Sequence, residues 1–538
     1  GRLAWTRSQV QLRHLDSSLE EAAVFRAYAA HLIWPEGRMA VQDPEIRQAT
    51  GPQSGLWGLG LSGDLPIMVL RIDTESDLPI VREALRMQDY FRHHGVQADL
   101  VILNDRASSY VQDLQNALNT LCDTFIRAGH PDPATRHVFV LRQDQMAPTT
   151  LRALLAVARV VLHSRNGNLS TQLTRLDTVP SPSPRPATLF LPAPASVAPA
   201  PGLDFPAEDL RHFNGYGGFS ADGREYVIRL RHGDSTPHPW INVIARDGFG
   251  FHVSAEGAGF TWAVNSRDYQ ITPWSNDAVE NRPGEAILVR CRRTGRIASP
   301  FAGLSSDPEA IHEVRHGLGF SRFRSWSGWL DLDAVQVLAA DGPVKLTRLR
   351  LTNRGSRQLD LDCLAYAELV LGNDRGRTGP VIRARAQGNA IIARNAWSVE
   401  FPGRAAGLAC DRPITGHLAS RAALLGAGDP RRPDALAVAW PGDSTATDGD
   451  PCLTLRTRLT LEPGATAEVV FALADAPEAE LPGLLHAATR APEVARAVEA
   501  VSAEWDGFLG TLQVQTPDPK LDLMVNTWLP YQDRKSVV

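Results

Sequence analysis

The stretch Val344-Lys-Leu-Thr-Arg-Leu-Arg-Leu-Thr352 decides the fold class, because apolar side chains alternate with polar ones along it. Such alternation is typical of a β-strand that turns one face toward a core. Asn353-Arg-Gly355 follows and supplies turn residues before the next apolar run. The pattern predicts an antiparallel strand, a turn and a returning strand.

Similar short apolar runs recur on both sides of this stretch, with Gly, Asn, Asp and Pro between them. A spacing of about ten residues between turns is typical of a large antiparallel β-sandwich. We therefore predict a sandwich domain over residues 207–480. Its predicted strands are 225–230, 241–244, 250–253, 286–291, 334–338, 344–352, 358–371, 390–393, 436–440, 452–461 and 467–474.

Residues 1–179 have a different pattern of apolar residues and are predicted to form a helical and α/β region. Ser17 or Ser18, with Glu20 or Glu21 three residues later, makes a capping box that opens an N-terminal helix. Alternation of strands and helices then predicts a small α/β layer with mainly parallel pairing. The predicted strands are 66–72, 99–103 and 137–141, and the predicted helices are 78–94, 109–128 and 149–163.

Three further segments complete a multi-domain α+β chain. Residues 180–206 are rich in Pro and Ala and are predicted to be a semi-extended linker. Residues 481–516 are predicted to be a helical linker. Residues 517–538 contain an amphipathic stretch that looks like the start of a helical domain, so we expect catalytic residues to lie beyond residue 538.

Composition excludes several classes of function. The net charge is −5, with 55 basic and 60 acidic residues, which does not indicate a nucleic-acid binder. The five cysteines are scattered and odd in number, which argues against a disulfide framework or a structural zinc site. No apolar run approaches the roughly 20 residues that span a bilayer. The glycines of Gly58-x-Gly60-x-x-Gly63 come before a predicted strand, so a turn is expected there and not a dinucleotide-binding loop.

Two segments carry side chains suited to sugars. Residues 262–281 mix aromatic, amide and charged groups, which is the chemistry of a carbohydrate surface, although a polar loop with buried tryptophan anchors has the same composition. Arg315, His316 and Gly317 could place cationic groups near an oxyanion or sugar hydroxyls, although such a histidine is more often structural. No familiar catalytic set is present. The candidate substrate-binding residues are Arg315, His316, Gly317, Arg267, Tyr269, Trp274 and Asn276, and no metal ligands are predicted.

Four motifs in order resemble one family, the inverting glycoside phosphorylases typified by cellobiose and chitobiose phosphorylase. The likeness is strongest to the C-terminal region of cyclic β-1,2-glucan synthases. The motifs are Gly-Arg-Glu-Tyr-Val-Ile at 223–228, Thr-Pro-His-Pro-Trp-Ile-Asn at 236–242, Asn-Ser-Arg-Asp-Tyr-Gln-Ile-Thr-Pro-Trp-Ser-Asn-Asp at 265–277 and Arg-His-Gly-Leu-Gly-Phe at 315–320.

The resemblance implies a sandwich packed on an (α/α) helical barrel, of which residues 525–531 would begin the first helix. It implies a general-acid Asp beyond residue 538, inorganic phosphate as a co-substrate and a β-glucan oligosaccharide as the substrate. The longer protein to which this chain is expected to belong, here called the parent, is expected to lie at the cytoplasmic face of an inner membrane and to control glucan chain length. A homodimer is among the assemblies left open, and this part alone is expected to be inactive. The alternatives left open are a non-catalytic glycan-binding or assembly module and, with less support, nucleotide binding by residues 64–165.

Overall fold

The computed structural model describes residues 12–13, 17–34, 37–106, 112–129, 137–178, 203–490 and 493–536. The chain divides into two compact units, the first within residues 1–185 and 396–402, the second within residues 186–395 and 403–538. The predicted linker at 180–206 lies outside the described residues up to residue 202. No helix among the described residues has both the length and the apolar character needed to cross a bilayer.

The first unit contains a four-stranded parallel sheet, as the strand and helix alternation predicted. Its strands pair in the order β3-β2-β1-β4, and every pairing is parallel. They are β1 (Ile67–Ile72), β2 (Asp99–Asn104), β3 (Val138–Arg142) and β4 (Val160–His163). The α-helices of this unit are Leu19–Ile33, Pro44–Gln48, Leu78–His93, Asp113–Gly129, Pro148–Val157 and Leu169–Thr178.

Two local sequence predictions in the first unit, a helix capping box and a glycine turn, are confirmed. Ser18 and Glu21 form the predicted capping box at the start of helix Leu19–Ile33. Gly60 and Gly63 have φ of 79° and 78° in the turns that lead to β1, so the glycine run is a turn and not a phosphate-binding loop.

The predicted helix 149–163 is wrong in its second half. The helix ends at Val157, Ala158 turns to an extended backbone, and Val160 pairs in parallel with Met68 of β1. The whole run is apolar, and periodicity alone does not separate a buried strand from a buried helix. The β-branched pair Val160-Val161 was the available signal for a strand.

The second unit is a sandwich of antiparallel sheets, as predicted. In its described part, one sheet runs β17-β18-β19-β22-β15-β14-β13-β12-β6-β5, a second runs β11-β10-β16-β21-β20 and a third runs β7-β8-β9. These strands are β5 (Gly217–Phe219), β6 (Glu225–Leu230), β7 (Ile241–Arg246), β8 (Phe249–Ser254), β9 (Gly259–Ala263), β10 (Glu285–Cys291), β11 (Ile297–Ala298), β12 (Ile311–Gly317), β13 (Phe320–Trp326), β14 (Leu330–Leu338), β15 (Val344–Asn353), β16 (Leu359–Glu368), β17 (Arg383–Gln387), β18 (Ala390–Arg394), β19 (Arg404–Cys410), β20 (Ile414–Ser420), β21 (Pro451–Leu461) and β22 (Thr466–Pro477).

Helices flank and follow this sandwich. They are Arg375–Thr378, Arg421–Leu425, Asp434–Ala437, Leu481–Ala488, Glu493–Leu509, Pro519–Leu523 and Leu529–Ser536, with a π-helical turn at Met524–Trp528. The predicted strand 436–440 is wrong, because Pro433 opens the short helix Asp434–Ala437 there. Residues 435–440 are all apolar, and such a run has no period that separates a strand from a helix.

The deciding strand, β15, lies inside the largest sheet, between β14 and β22. Its alternation changes phase in the middle, since Lys345 and Thr347 lie on the same strand face as Leu349 and Leu351. The opposite face carries Val344 and Leu346, which pack in the same core cluster as the helices at 481–509. Both faces are therefore buried at the start of β15, which explains the phase change without a β-bulge.

Lys345 is consequently a buried charge, with 2% of its side chain exposed. Its Nζ lies 2.6 Å from Glu285 Oε2 of the facing sheet and 4.3 Å from the ring centre of Phe251. The other Glu285 oxygen accepts hydrogen bonds from the hydroxyls of Thr261 and Thr272. Burial alone would raise the pKa of Glu285, but Lys345 and the two hydroxyls hold it below its ordinary value. The pair joins the two main sheets through the core.

We predict that Lys345→Met lowers the free energy of unfolding by about 3–5 kcal/mol, because it leaves the Glu285 carboxylate buried and unpaired. Chemical denaturation measures this. The double variant Lys345→Met/Glu285→Gln should recover most of the loss, since glutamine still accepts from Thr261 and Thr272. Equal losses in the single and double variants would contradict the assignment.

Candidate functional site

The Arg315-His316-Gly317 segment forms the end of β12 and enters the hairpin turn to β13. Gly319 in this turn has φ of 82°, and a Cβ there would lie 2.3 Å from Cγ2 of Val501. A Cβ on Gly317 would lie 2.5 Å from the ring of Phe320. Gly319 therefore lets helix Glu493–Leu509 pack directly on the turn, and Gly317 leaves room for the Phe320 ring of the same hairpin. The hairpin is a docking surface for the helices that follow the sandwich.

Asn242, from the 236–242 motif, ties this hairpin to the terminal helix. Its Nδ2 donates to the carbonyl oxygens of Gly317 and Phe320, both at 2.9 Å. Its Oδ1 accepts from the hydroxyl of Tyr531 at 2.8 Å, and that hydroxyl accepts from the Gly319 N–H at 3.0 Å. Asn242 and Tyr531 are 2% and 1% exposed. Burial raises the pKa of Tyr531, which keeps its hydroxyl a donor.

Aromatic packing completes the docking of the terminal helix. Trp528 donates its indole N–H to the carbonyl of Gly223 at 3.0 Å, and Trp505 meets Tyr531 edge to face at 4.7 Å. A Cβ on Gly223 would lie 2.5 Å from Leu523 Cδ1. The predicted amphipathic stretch is therefore helical and packs on the sandwich.

Arg315 is held by three carboxylates. Its Nε donates to Glu313 at 2.8 Å, one terminal nitrogen donates to Glu225 at 2.9 Å, and the other pairs with Glu208. Burial opposes the charge, yet the three carboxylates raise the pKa of Arg315 above its ordinary value. The guanidinium is 11% exposed, so its donors are directed to groups within the unit.

His316 lies on the opposite face of β12 and is 5% exposed. Its Nδ1 lies 3.0 Å from Ser321 Oγ, which also accepts from Asn242 Nδ2 at 3.1 Å. His316 thus belongs to the same buried network as the hairpin turn. Contact of Arg315, His316 or Gly317 with a sugar stays a prediction.

The second candidate segment, 265–277, is anchored by Tyr269. This side chain is 1% exposed and donates its hydroxyl to Asp475 Oδ2 at 3.0 Å. The other oxygen of Asp475 accepts from Arg404 Nε at 2.7 Å. Burial raises the pKa of Asp475 to about 6, against the opposing effect of Arg404. Tyr269 therefore fixes the segment to β22 and does not face solvent.

The two ends of this segment, residues 265–267 and 274–277, are exposed, whereas Ile271 and Thr272 between them are buried. Trp274 is 54% exposed, and its ring lies nearly parallel to that of Phe260, at 24° and 6.1 Å between centres. Arg267 and Asn276 are also exposed, and Asn276 has a left-handed backbone with φ of 46°. The structure thus separates the candidates into a buried anchor and an accessible surface.

Several residues that build this site were missed from the sequence. Asn242 and Tyr531 both stood in segments that the sequence analysis had singled out, but nothing indicated that they would meet across 289 positions. Asp475 follows an apolar run without any local signal. Its partners come from other parts of the chain.

In the first unit, Asp73, Asp105 and His163 meet at the carboxyl ends of β1, β2 and β4. Arg71 donates to Asp105 and Arg165 to Asp73, both at 2.6 Å. His163 Nδ1 accepts the Arg165 backbone N–H, so Nε2 carries the ring proton and faces the carboxylates at 3.5 and 3.9 Å. Asp105 Oδ2 and Asp73 Oδ2 thus accept from arginines in a network of charged groups, while Asp105 Oδ1 is buried without a hydrogen bond.

The comparisons with known proteins identify the sandwich. The glycosyl hydrolase 94 supersandwich domain matches residues 224–499. The chain belongs to the glycosyl hydrolase 94 family. The resemblance seen in the sequence and the β-sandwich are thereby confirmed.

Curated relatives agree with this assignment. The chain is 44% identical over 537 residues to the cyclic beta-(1,2)-glucan synthase NdvB of Rhizobium meliloti (strain 1021), covering 98% of this chain and 19% of the relative. It is 23% identical to the N,N'-diacetylchitobiose phosphorylase of Vibrio furnissii, covering 60% of this chain and 41% of the relative. It is 26% identical to the 3-O-beta-D-glucopyranosyl-beta-D-glucuronide phosphorylase of Paenibacillus borealis, with the same coverage of 60% and 41%. The chain thus spans less than half the length of each relative.

We predict that Tyr531→Phe lowers the free energy of unfolding by about 1–3 kcal/mol, because the Gly319 N–H and Asn242 Oδ1 lose a buried partner. Hydrogen exchange should show the effect first in the helix at 519–536. Tyr216→Phe is the matched control, since that tyrosine is 39% exposed. If both variants lost the same free energy of unfolding, the buried hydrogen bonds of the Tyr531 hydroxyl would not be the cause.

We also predict that His312 of β12 makes the folded protein less stable in acid. His312 is 2% exposed, and burial lowers its pKa to about 4. Between pH 6.5 and 4 the unfolded chain therefore binds more protons than the folded chain, so stability falls as the pH falls through this window. His312→Leu should flatten the dependence by about 3 kcal/mol over that range. Denaturation at several pH values measures it, and an unchanged slope would contradict the cause.

Proposed function

We propose that this chain is part of a protein that acts on β-1,2-linked glucan in the manner of a cyclic β-1,2-glucan synthase. The sandwich supports an inverting β-glucoside phosphorolysis site, carried by a helical barrel of the same polypeptide, which controls glucan chain length. The observation that carries the proposal is the 44% identity to the Rhizobium meliloti synthase over 98% of the chain. That likeness runs through both units, whereas the phosphorylases match only 60% of the chain.

In the proposed reaction an acid protonates the glycosidic oxygen while phosphate attacks the anomeric carbon from the opposite face. Inorganic phosphate thus takes the place of the water molecule in an inverting hydrolase. We assign no catalytic residue within residues 1–538 and place the general acid in the barrel. The contribution of this chain is to bind the sugar and to hold the first helix of that barrel.

Burial suggests how the candidate residues divide this work. Arg267, Trp274 and Asn276 are exposed and are proposed to contact the glucan directly. Tyr269 fixes the same segment through Asp475. Arg315, His316 and Gly317 are proposed to shape the hairpin that faces the helices, with Arg315 reaching acceptor-sugar hydroxyls if its carboxylate partners release it.

The remaining expectations rest on the family resemblance seen in the sequence. The substrate is proposed to be a β-glucan oligosaccharide, and the principal partner is the barrel of the same polypeptide. The parent is proposed to lie at the cytoplasmic face of an inner membrane, and a homodimer stays a prediction.

A non-catalytic glycan-binding module is the second candidate function. The observation that favours it is the exposed Trp274, since an exposed aromatic ring can bind sugar without any chemistry.

We predict that β-1,2-gluco-oligosaccharides and phosphate react only with a chain extended by about 400 residues, which leaves room for a barrel larger than the roughly 250 residues of most large domains. Release of glucose 1-phosphate measures the reaction, with omission of phosphate and α-linked glucan as controls. Turnover by residues 1–538 alone would overturn the placement of the acid. Glucan binding without turnover in the extended chain would favour the second candidate.

A further inference from the structure

We propose that the indole face of Trp274 is a stacking platform for one glucosyl residue of a β-linked glucan. This inference rests on the proposed function and deepens it, because it names the sugar unit recognised and the side chain that recognises it. The argument starts from an exposed aromatic ring that the fold holds in place.

Three aromatic rings lie side by side at one face of the β7-β8-β9 sheet. Phe260 and Trp262 are two residues apart on β9 and so share a face. Their rings lie 5.2 Å apart at 30°, and Trp274 continues the series beyond Phe260 at 24°. Phe260 and Trp262 are 4% and 8% exposed, whereas Trp274 is 54% exposed. Trp274 is thus the accessible end of a buried aromatic stack.

The neighbouring strand is shaped to accommodate these rings. Gly250 of β8 lies opposite Trp262, and a Cβ there would come within 2.5 Å of the Trp262 ring. His252 lies opposite Phe260 and meets Trp274 edge to face, at 81° and 6.1 Å. Trp274 is therefore supported by Phe260 on one side and by His252 at an edge. Its conformational freedom is already restricted, so little side-chain entropy remains to be lost when a ligand binds.

The exposed ring has the chemistry that a glucosyl unit needs. All ring substituents of a β-glucosyl residue are equatorial, which leaves flat C–H faces that pack against an indole. Asn276 follows two residues later, so the two Cα atoms lie at most about 7 Å apart, and its amide can donate to and accept from hydroxyls. A mannosyl unit carries an axial hydroxyl at C2, which interrupts one of these flat faces. The platform should therefore prefer glucosyl over mannosyl chains.

The test compares binding of β-1,2-gluco-oligosaccharides to residues 1–538 by isothermal titration calorimetry. Trp274→Ala removes the platform, and Trp274→Phe keeps a smaller ring. Trp57→Ala is the matched control, because Trp57 is 56% exposed and lies in the first unit. Circular dichroism and thermal melting verify that each variant is folded.

The expected result is binding at least tenfold weaker for Trp274→Ala, an intermediate loss for Trp274→Phe and no loss for Trp57→Ala. β-Mannan oligosaccharides should bind at least tenfold more weakly than the glucan. Unchanged glucan affinity in Trp274→Ala would overturn the platform. Absence of glucan binding by the unsubstituted residues 1–538 would also overturn it. Neither outcome bears on the phosphate-dependent turnover of the extended chain. That assay tests the proposed function independently of Trp274.

Discussion

The side-chain amide of Asn242 is the constraint on which the second unit depends. It satisfies two carbonyl oxygens of the β12–β13 hairpin and the hydroxyl of Tyr531, all in the interior. A buried polar group without a partner costs about 1–3 kcal/mol. A shift of the terminal helix by one residue would leave several of these buried groups without partners at the same time. The hairpin, β7 and the helix that follows the sandwich are therefore fixed in one register. Rigid attachment of this helix gives the proposed barrel a defined starting point.

A second set of buried polar contacts fixes the sheets and the candidate loop. Lys345 and Glu285 join the two main sheets, and Asp475 holds Tyr269 and Arg404. Buried ion pairs seldom add much net stability, because desolvation offsets most of their attraction. We infer that these contacts serve to specify position. The loop that carries Trp274 is thus anchored at one end while its surface remains open.

A structural feature could be predicted from the sequence when its signal lay within a few neighbouring residues, and not when it depended on residues far apart in the chain. The sandwich, the parallel sheet and the capping box followed from periodicity and from local turn chemistry. Strand β4 and the helix at 434–437 were missed, since short apolar runs fit either element. The buried positions of Arg315 and Tyr269 could not be predicted, because each depends on a partner that is distant in sequence: Glu208 lies 107 positions from Arg315 and Asp475 lies 206 from Tyr269. The partner of His316, Ser321, lies five positions away. Arg267, Trp274 and Asn276 were named from composition alone and lie exposed, and their contact with a sugar stays a prediction.

The pairing of Lys345 with Glu285 also bears on how this sequence can change over evolutionary time. The two codons are 60 positions apart, yet neither residue can be replaced alone without stranding a charge in the core. Replacement of the pair must therefore pass through an intermediate with one buried, unpaired charge, which folds poorly. Apolar positions around the pair have no such barrier and can exchange Leu, Ile and Val one at a time. Drift in this core should therefore be slowest at its two charged residues.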